Sequence, residues 1–582
     1  MKRWVADFET TTDPNDCRVW LWGIMNLDNP QEFYWGKSID TFLNFLEKHG
    51  ENGKVWMHNL KFDAQFIVSK LLTDGWEWTP KAGKNKTFTT LVTAHNDFYS
   101  IKILFKRNSG RHCTNIEILD SLKLITFSVK KISEAFKLNV TKMDLDYDMP
   151  RPVGYNPTPL ELHYLNADCL IVAQALKEMF DHGVNGITIG QAAMNDFKMR
   201  KKCFRQYFPE LSKDVENDIR QAYKGGFTYL NPIYSDKELG AGFFVDKNSM
   251  YPDMLYHREL PIGHPVLFEG KFETNGLYKL FIQKVSVVAR LKKGKVPFLR
   301  SRTHPDYDPL DYITDTHGEF LTVTLTNLEL DLLFENYDVD DIVYHRGWKF
   351  RACKHVFNEY VEHWSKEKER AKAEDDPAGY VISKMYLNSL VGKFGGRSSG
   401  WQSIPSLDQN GVVNYTKKIV RKERRAFYSP IALFVTAYAR VELIHTIEKI
   451  REWGFAHYGR DVYVYSDTDS IATNIDVEDL PELEKFIELD DKKMGAWKLE
   501  KVFHKAKFLH AKCYLIIDYN GISHATVAGM PKELADKLSL EKFCTGFSTS
   551  SFKDDPEMTK LRGLKQVIVK GGAILKPTDY TL

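Results

Sequence analysis

The chain has 582 residues, a net charge of +2, 43% hydrophobic residues and 27% charged residues. This length predicts several domains, and this composition excludes a globally disordered chain. The seven cysteines include no CxxC pair, which argues against a structural zinc site and a secreted disulfide framework. The N-terminus has no signal-peptide pattern, and apolar runs such as 431–437 are too short to cross a bilayer. We therefore expect a soluble cytoplasmic protein without a membrane segment.

The first third alternates short apolar strands with amphipathic helices, which predicts an α/β domain. The predicted strands are 3–8, 54–58, 99–105 and 115–119, and the predicted helices are 40–48, 63–72 and about 158–180. A proline-rich loop precedes the last of these helices. We place the first domain boundary near residue 186.

The remaining chain reads as an α+β region. Residues 220–350 are predicted to be mostly strands, and 354–394 to form two antiparallel helices with a turn at 375–379. Strands and helices then alternate to about 537, before a small C-terminal unit. A basic run, TKKIVRKERR, covers 416–425. By itself it fits either a solvated loop or contact with nucleic-acid phosphates.

Four N-terminal carboxylates stand in informative contexts. Asp7 and Glu9 lie two apart on a predicted strand and share a face, Asp63 follows a strand, and Tyr164 and Asp168 are spaced i, i+4 on a helix. Neighbouring carboxylates repel unless a cation lies between them, and hard oxygen ligands suit Mg²⁺. Surface carboxylates explain most single DxE pairs. The combination suits two-metal phosphodiester hydrolysis and resembles the tyrosine-bearing DEDD exonucleases.

A second set of acidic residues lies in the C-terminal two thirds. Asp246 ends an apolar strand, and Asp467 and Asp469 occupy the tip of a strand–turn–strand, YSDTDS. A lone DTDS also fits an Asx-rich turn, whereas the pairing supplies carboxylates for nucleotidyl transfer with two Mg²⁺. Lys384 and Asn388, spaced i, i+4 on a predicted helix, can face one triphosphate.

These motifs have a familiar order. DxxSMYP (246–252), KxxxNSxxG (384–392), TxxAR (436–440), YSDTDS (465–470) and KxY (512–514) together resemble family B DNA polymerases. The segment YKGGF (223–227) is similar to the YxGG motif that links their exonuclease and polymerase modules. Over its whole length the chain is similar to the protein-primed polymerases of phi-29-like phages.

The resemblance implies an N-terminal ribonuclease-H-like 3′–5′ exonuclease domain and a right-hand polymerase with two terminal-protein-region insertions. The first insertion would dock a priming protein, and the second would be a β-hairpin helping to encircle DNA. The second contains the basic run, which favours phosphate contact there. The expected bounds are exonuclease 1–186, palm 187–258 and 429–537, insertions 259–350 and 394–428, fingers 351–393 and thumb 538–582.

The resemblance also implies roles at the polymerase site. Asp246, Asp469 and the backbone carbonyl of Lys247 would bind metal, with Asp467 beside them and no role for Val245. Other implied nucleotide contacts are Tyr251 under the incoming sugar, Lys384 and Asn388 at the triphosphate, and either Lys368 or Lys372 as an outer phosphate-binding lysine. Val391 departs from the family pattern, which usually has a tyrosine lining the pocket there, and so puts base-pair fit in doubt.

In the exonuclease, Asp7, Glu9 and Asp168 would bind metal with Asp63, while Lys142 and Tyr164 assist the chemistry. The residues expected to hold a frayed strand are Thr10, Asn59, Phe62, Phe66, Ser121 and Leu122. Further DNA contacts are expected from Tyr223, Gly225, Gly226, Phe227, Thr436 and Arg440, with Lys512 and Tyr514 at the primer terminus.

The expected function is a processive, strand-displacing DNA-directed DNA polymerase with a proofreading exonuclease, primed by a terminal protein on a linear phage-type genome. Each site would use two Mg²⁺, for which Mn²⁺ substitutes. The expected partners are template-primer DNA, dNTPs, the terminal protein and a single-stranded-DNA-binding protein, for a monomer in the cytoplasm of an infected bacterium. One alternative is a conventionally primed family B polymerase. The other is a non-catalytic DNA-binding or terminal-protein-binding scaffold, and the complete set of carboxylates argues against the scaffold.

Overall fold

A computed structural model describes residues 2–50, 52–81, 83–93, 95–107, 113–147, 149–301, 311–397, 401–419 and 427–582. The strands are β1 Arg3–Thr10, β2 Val19–Asn26, β3 Asn29–Gly36, β4 Lys54–Met57, β5 Glu77–Trp78, β6 Thr87–Val92, β7 Phe98–Arg107, β8 Cys113–Asp120, β9 Thr228–Leu230, β10 Glu238–Leu239, β11 Gly242–Lys247, β12 Leu260–Phe268, β13 Leu280–Leu291, β14 Leu321–Thr326, β15 Tyr337–Cys353, β16 Trp401–Leu407, β17 Val413–Ile419, β18 Tyr463–Asp467, β19 Ser470–Thr473, β20 Trp497–Phe503, β21 Lys505–His510, β22 Cys513–Ile517, β23 Ser523–Val527, β24 Gly563–Val569 and β25 Gly572–Thr578. The helices are α1 Ile39–His49, α2 Leu60–Thr73, α3 Val129–Ala135, α4 Pro159–Asp181, α5 Ile189–Arg200, α6 Phe204–Tyr207, α7 Lys213–Arg220, α8 Met250–His257, α9 Asn327–Asn336, α10 Asn358–Ala373, α11 Pro377–Phe394, α12 Pro430–Tyr458, α13 Leu480–Leu483, α14 Lys532–Ala535 and α15 Pro556–Lys560.

An eight-stranded sheet forms the centre of the N-terminal domain, in the order β3-β2-β1-β4-β8-β7-β6-β5. Strands β1, β4 and β8 run parallel to one another. Val5 packs with α4 on one face of the sheet, and Phe8 packs with α1 and α2 on the other. Because strand side chains alternate, Asp7 and Glu9 share the α4 face with Val5. All four predicted strands and all three predicted helices of this region are confirmed within a few residues.

The central part of the chain forms an antiparallel sheet in the order β20-β11-β19-β18-β9. Asp246 on β11 and Asp467 on β18 are both cross-strand neighbours of Ser470 on β19. The register therefore sets the ends of three strands, with their acidic residues, side by side. Helix α12, largely buried, packs against α8, α9 and α11.

The first predicted insertion forms a second antiparallel sheet, in the order β12-β15-β13-β14. The expectation of mostly strands over 220–350 missed α8 and α9. Helix α9 begins with a capping box in which Thr326 and Glu329 each satisfy the other's backbone N–H. That T-x-x-E signal is present in the sequence and should have indicated a helix.

The two hairpins expected over 354–394 and 394–428 are both present. Helices α10 and α11 confirm the helical hairpin, and β16 and β17 confirm a β-hairpin within 394–428. Residues 420–425 of the basic run lie outside the described residues, while 416–419 belong to β17. A third antiparallel sheet, with the four strands β10-β21-β22-β23, precedes the C-terminal hairpin of β24 and β25.

Among the described residues, α12 is the one helix whose length and mean hydropathy of 1.2 would allow it to cross a membrane. Of its most apolar window, 78% is buried inside the protein. Such burial is typical of a core helix. The sequence analysis expected no apolar run long enough to cross a membrane, and so did not anticipate a helix of this length and hydropathy.

Candidate active sites

The first candidate site lies where β1, α2 and α4 meet. Asp7 and Glu9 lie on the face of β1 that packs against α4, which carries Asp168 and Tyr164. Asp63 lies in the first turn of α2. The residues Glu9, Asp63 and Asp168 are at most 5% exposed. The carboxylates predicted from separate sequence segments are thus brought into one electrostatically interacting group.

Burial and mutual repulsion dominate the electrostatics of this group. Burial, and then the Asp168 charge, raise the pKa of Asp7 from 3.8 to about 7. Burial, followed by the Asp7 charge, also raises the pKa of Glu9 and of Asp63 well above the usual range. Lys142 supplies the nearby positive charge, pairing with Asp168.

Lys142 and two phenols form a hydrogen-bonded group beside Asp168. Lys142 Nζ donates to Tyr164 Oη at 3.1 Å, and the hydroxyls of Tyr164 and Tyr147 lie 2.9 Å apart. Burial raises the pKa of Tyr164, so its phenol stays neutral. The sequence pointed to Lys142 and Tyr164 but not to Tyr147, whose surrounding loop has no motif.

The donor set fits a divalent cation that arrives with substrate. No group of three or more His, Cys, Asp or Glu side chains within the described ranges forms a metal site on its own. Mg²⁺ typically needs only one or two carboxylates, because waters and substrate phosphates complete its shell. Asp168 Oδ1 is buried without a hydrogen-bond partner, and its neighbours repel one another. A bound cation would give Asp168 Oδ1 a partner and would reduce the repulsion between the neighbouring carboxylates.

This charge cluster predicts a pH-dependent stability. Because folding raises the pKa of Asp7 from 3.8 to about 7, this group stabilises the fold below about pH 4, and that stabilisation is lost as pH rises through 7. We expect the melting temperature of the protein in EDTA to fall between pH 5 and pH 8. Replacing Asp7 with asparagine should flatten the fall, whereas the exposed Asp13→Asn control should not. Equal melting curves for wild type and Asp7→Asn at pH 8 would contradict this.

Two of the residues predicted to hold a frayed strand are buried. Ser121 is 0% exposed, and its hydroxyl donates to Met57 O, while Phe66 is 1% exposed. Contact between these side chains and DNA is therefore not supported, because neither reaches the surface. Thr10, Asn59, Phe62 and Leu122 keep partial exposure.

Asp120 was missed by the sequence analysis. Its Oδ1 accepts the backbone N–H groups of Asn59 at 3.1 Å and Leu122 at 3.0 Å. It therefore holds the turn before α2 against the end of β8. An aspartate ending the apolar strand IEILD was the available signal.

The second candidate site is a cavity of about 480 Å³ between the central sheet and the fingers. Asp246 and Asp469 line one wall, and Lys368 of α10 and Lys384 of α11 line another. The remaining lining residues are Lys247, Asn248, Ser249, Met250, Tyr251, Pro252, Tyr380, Leu387, Asn388, Thr468 and Lys498. The cavity thus joins carboxylates to lysines, as the binding of a metal-bound triphosphate requires.

Burial and the neighbouring charge of Asp246 raise the pKa of Asp469 to about 6. Burial also raises the pKa of Asp246, although Lys498 Nζ lies 3.2 Å from its Oδ2. Lys498 was not predicted, because nothing in its local sequence distinguishes it from other lysines. The two carboxylates and the surrounding cations fit a divalent cation shared with a phosphate group.

Asp467 does not line the cavity but makes local contacts. Its Oδ1 accepts from Thr228 Oγ1 at 3.0 Å, and its Oδ2 accepts from Lys512 Nζ at 2.7 Å. Lys512 also donates its backbone N–H to Tyr465 Oη at 3.0 Å. Tyr514 stacks on Phe508, with ring centroids 5.2 Å apart. The KxY segment is therefore anchored beside the acidic turn.

The two finger lysines are placed differently. Lys368 lines the cavity, and burial lowers its pKa, with nearby Lys384 and Lys498 adding to the effect. Lys372 is exposed near the end of α10 and does not line the cavity. Val391 is 2% exposed within the main core and does not line the cavity either. The family pattern implies that the residue at this position lines the pocket, and Val391 does not.

Thr436 and Arg440 anchor the YKGGF segment through hydrogen bonds to its backbone carbonyls. Arg440 donates to Lys224 O at 3.0 Å and Gly225 O at 2.7 Å, and Thr436 Oγ1 donates to Lys224 O at 2.9 Å. Both side chains are buried, so their predicted direct contact with DNA is not supported. A Cβ on Gly226 would lie 2.5 Å from Thr468 Oγ1, so glycine there allows the segment to approach the acidic turn.

A family model described as "DNA polymerase type B, organellar and viral" matches residues 47–156 and 150–482. The chain belongs to this family. A DNA polymerase of Bacillus phage phi29 is 34% identical over 601 residues, covering 100% of the chain and 99% of the relative. This protein is therefore a phage-type family B DNA polymerase.

Solved structures of phi29 DNA polymerase match over the full chain. The complex with primer-template DNA and incoming nucleotide has a TM-score of 0.89 at 33% identity, covering 100% of this chain and 99% of that one. The complex with single-stranded DNA has a TM-score of 0.88 at 33% identity, with the same coverage. The predicted multidomain fold, an exonuclease domain followed by palm, fingers and thumb, is confirmed.

Proposed function

We propose that this polymerase performs two reactions at the two carboxylate groups. Nucleotidyl transfer occurs beside Asp246 and Asp469, and 3′–5′ hydrolysis of DNA occurs beside Asp7, Glu9 and Asp168. The supporting observation is that each of two separate domains holds a group of carboxylates whose pKa values are raised by burial and by one another's charge, and that each group faces a lysine. The phi29 enzyme is described with primer-template DNA, nucleotide and single-stranded DNA, which agrees with both reactions.

In the transfer reaction, Asp246, Asp469 and the Lys247 carbonyl would hold two Mg²⁺. When bound, the ions would acidify the primer 3′-hydroxyl and neutralise charge on the triphosphate. Lys384 and Lys368 balance the negative charge on the phosphates. The ammonium of Lys247 is paired with Asp253 and Glu442, so its backbone is the part left for the cavity.

Tyr251 contributes a neutral wall to the nucleotide site. Burial raises the pKa of its phenol, so the ring stays uncharged near the Asp469 carboxylate. Tyr251 and Asn388 both line the cavity. We propose that Tyr251 packs under the incoming sugar and disfavours a 2′-hydroxyl, while Asn388 contacts the nucleotide.

In the hydrolytic reaction, Asp7, Glu9 and Asp168 would hold Mg²⁺ with Asp63. When bound, the ions would activate water and stabilise the leaving oxygen. Tyr164 remains a neutral phenol, so it would orient the attacking water through a hydrogen bond rather than act as a base. Burial raises the pKa of Asp168, and the paired Lys142 opposes that rise. The partly exposed Phe62 and the exposed Asn59 would hold the last nucleotides.

We propose Lys368 as the outer phosphate-binding lysine, because it lines the cavity and Lys372 does not. We expect Lys368→Ala to raise the KM for dNTP about 10- to 100-fold, because a charge-assisted hydrogen bond is lost. Lys372→Ala is the matched control and should stay near wild type. Steady-state incorporation on a short primed template measures both. A larger defect in Lys372→Ala than in Lys368→Ala would reverse the assignment.

We further propose priming by a terminal protein and synthesis with strand displacement. The 259–350 region forms a discrete sheet with α9, suited to a partner. The β16–β17 hairpin contacts the exonuclease domain, where Gln402 pairs with Thr93 and Ser403 Oγ donates to Thr93 O at 2.8 Å. Such a hairpin would help to close a channel around DNA. A polymerase started from ordinary primers is the alternative, because no chemical motif in this region requires a protein primer.

Extension of a primed single-stranded circle, without helicase or clamp, tests this part of the proposal. Products many times the length of the circle would support processive strand displacement. Synthesis that stops after one lap would contradict strand displacement, while the assignment as a polymerase would stand. EDTA should stop synthesis and digestion alike, and Mg²⁺ or Mn²⁺ should restore both. We place the enzyme, as a monomer, in the cytoplasm of an infected bacterium, with a single-stranded-DNA-binding protein as a candidate partner.

A further inference from the structure

Two hairpins from distant parts of the chain complete the core of the exonuclease domain. Val413 of β17 and Ile574 of β25 are 1% and 2% exposed, and both belong to the core cluster that α2 shares with the N-terminal sheet. Both hairpins therefore bury apolar surface against the same domain. Helix α2, which carries Asp63, is contacted by β16, β17 and β25.

The C-terminal hairpin approaches the N-terminal domain closely at two glycines, of which Gly572 contacts α2 and Gly571 contacts the segment before β2. A Cβ on Gly572 would lie 2.3 Å from the ring of Phe66, and one on Gly571 would lie 2.5 Å from Cys17 O. Gly571 also has φ of +92°, which side-chain-bearing residues rarely adopt. Cys17 Sγ donates to Ala573 O at 3.6 Å. The hairpin thus contributes to the burial of Phe66.

A chain of hydrogen bonds joins both hairpins to the first turn of α2. Tyr415 Oη of β17 donates to Gln65 Oε1 at 2.8 Å, and Gln65 Nε2 donates to Lys61 O at 2.9 Å. Gln566 Nε2 of β24 donates to the same Lys61 carbonyl at 3.0 Å. Gln65 is 2% exposed, so both ends of its amide are used inside the protein.

Asp63 lies between Lys61 and Gln65 in this turn. We propose that Gln65 is a positioning residue through which docking of the two hairpins sets the place of Asp63 in the exonuclease site. The inference rests on the proposed exonuclease and goes beyond it, because it makes hydrolysis depend on hairpins that lie about 350 and 500 residues further along the chain. Nucleotide insertion, at a separate cavity, should not share this dependence.

The test compares Gln65→Leu, Tyr415→Phe and the double variant in the full-length enzyme. Single-turnover digestion of an end-labelled single-stranded oligonucleotide with Mg²⁺ should slow about tenfold in Gln65→Leu, because small displacements of a catalytic group are costly. Affinity for the oligonucleotide should stay within twofold. Tyr415→Phe should slow digestion less, and adding it to Gln65→Leu should have no further effect. The exposed Asn414→Ala on β17 is the matched control.

Single-nucleotide insertion and melting temperature are measured on the same preparations. Slower digestion with unchanged insertion and melting supports the inference. Digestion by Gln65→Leu and Tyr415→Phe at the wild-type rate overturns it, as does a parallel loss of digestion, insertion and melting temperature, which would indicate a general packing role. Wild-type enzyme that fails to digest DNA would instead overturn the proposed exonuclease, and the inference with it.

Discussion

Replacing Asp469 with asparagine is expected to abolish nucleotide incorporation while leaving digestion of single strands intact. The substitution keeps the shape of the side chain and removes a charge that shares the cavity with Asp246. Loss of several kcal/mol of metal-mediated charge stabilisation corresponds to a rate decrease of about 10³-fold or more. Primer extension with labelled dNTP and Mg²⁺ measures the effect.

The matched control for this experiment is Asp490→Asn. Asp490 is exposed on the loop before β20, where it accepts the backbone N–H groups of Lys492 and Lys493. This variant should extend primers normally. If Asp469→Asn lost digestion together with synthesis, the assignment of the two reactions to separate sites would be wrong.

The double substitution Asp7→Asn and Glu9→Gln is expected to have the opposite effect. It removes the two β1 carboxylates and leaves the palm untouched, so digestion should fall by about 10³-fold or more while incorporation persists. The variant should also melt at a higher temperature than wild type in EDTA at pH 8, since two neighbouring, mutually repelling carboxylates are gone.

Digestion of an end-labelled single strand measures this loss. Retained digestion would show that another group performs the hydrolysis. A rise in melting temperature combined with lost digestion would show that the variant is folded, so its inactivity cannot be explained by unfolding. The Asp13→Asn variant is again the control for an exposed carboxylate.

Much of both sites was predictable because their residues obey local periodicity. Asp7 and Glu9 share a strand face, and Tyr164 and Asp168 share a helix face, as their spacings require. Asp246 ends a strand that the apolar pattern defines. Each of these placements depends on a few neighbouring residues, so the sequence alone determines it.

Other features depend on contacts between distant segments and were not predictable. Lys368 and Lys372 share a helix face by spacing, and only the packing of the fingers over the sheet separates them. Lys498 approaches Asp246 because β20 pairs with β11. Phe66 looked available for DNA, but a hairpin about 500 residues away covers it. Local pattern carries no information about such pairings.

Extension of a primer that ends in a mismatched nucleotide tests the two-site account most directly. The account predicts that wild-type enzyme with Mg²⁺ and dNTPs removes the mismatch and yields full-length product with the corrected base. The Asp7→Asn, Glu9→Gln variant should instead stall or extend the mismatch, and Asp469→Asn should shorten the primer without extending it. Wild-type product that retains the mismatched base would contradict the account.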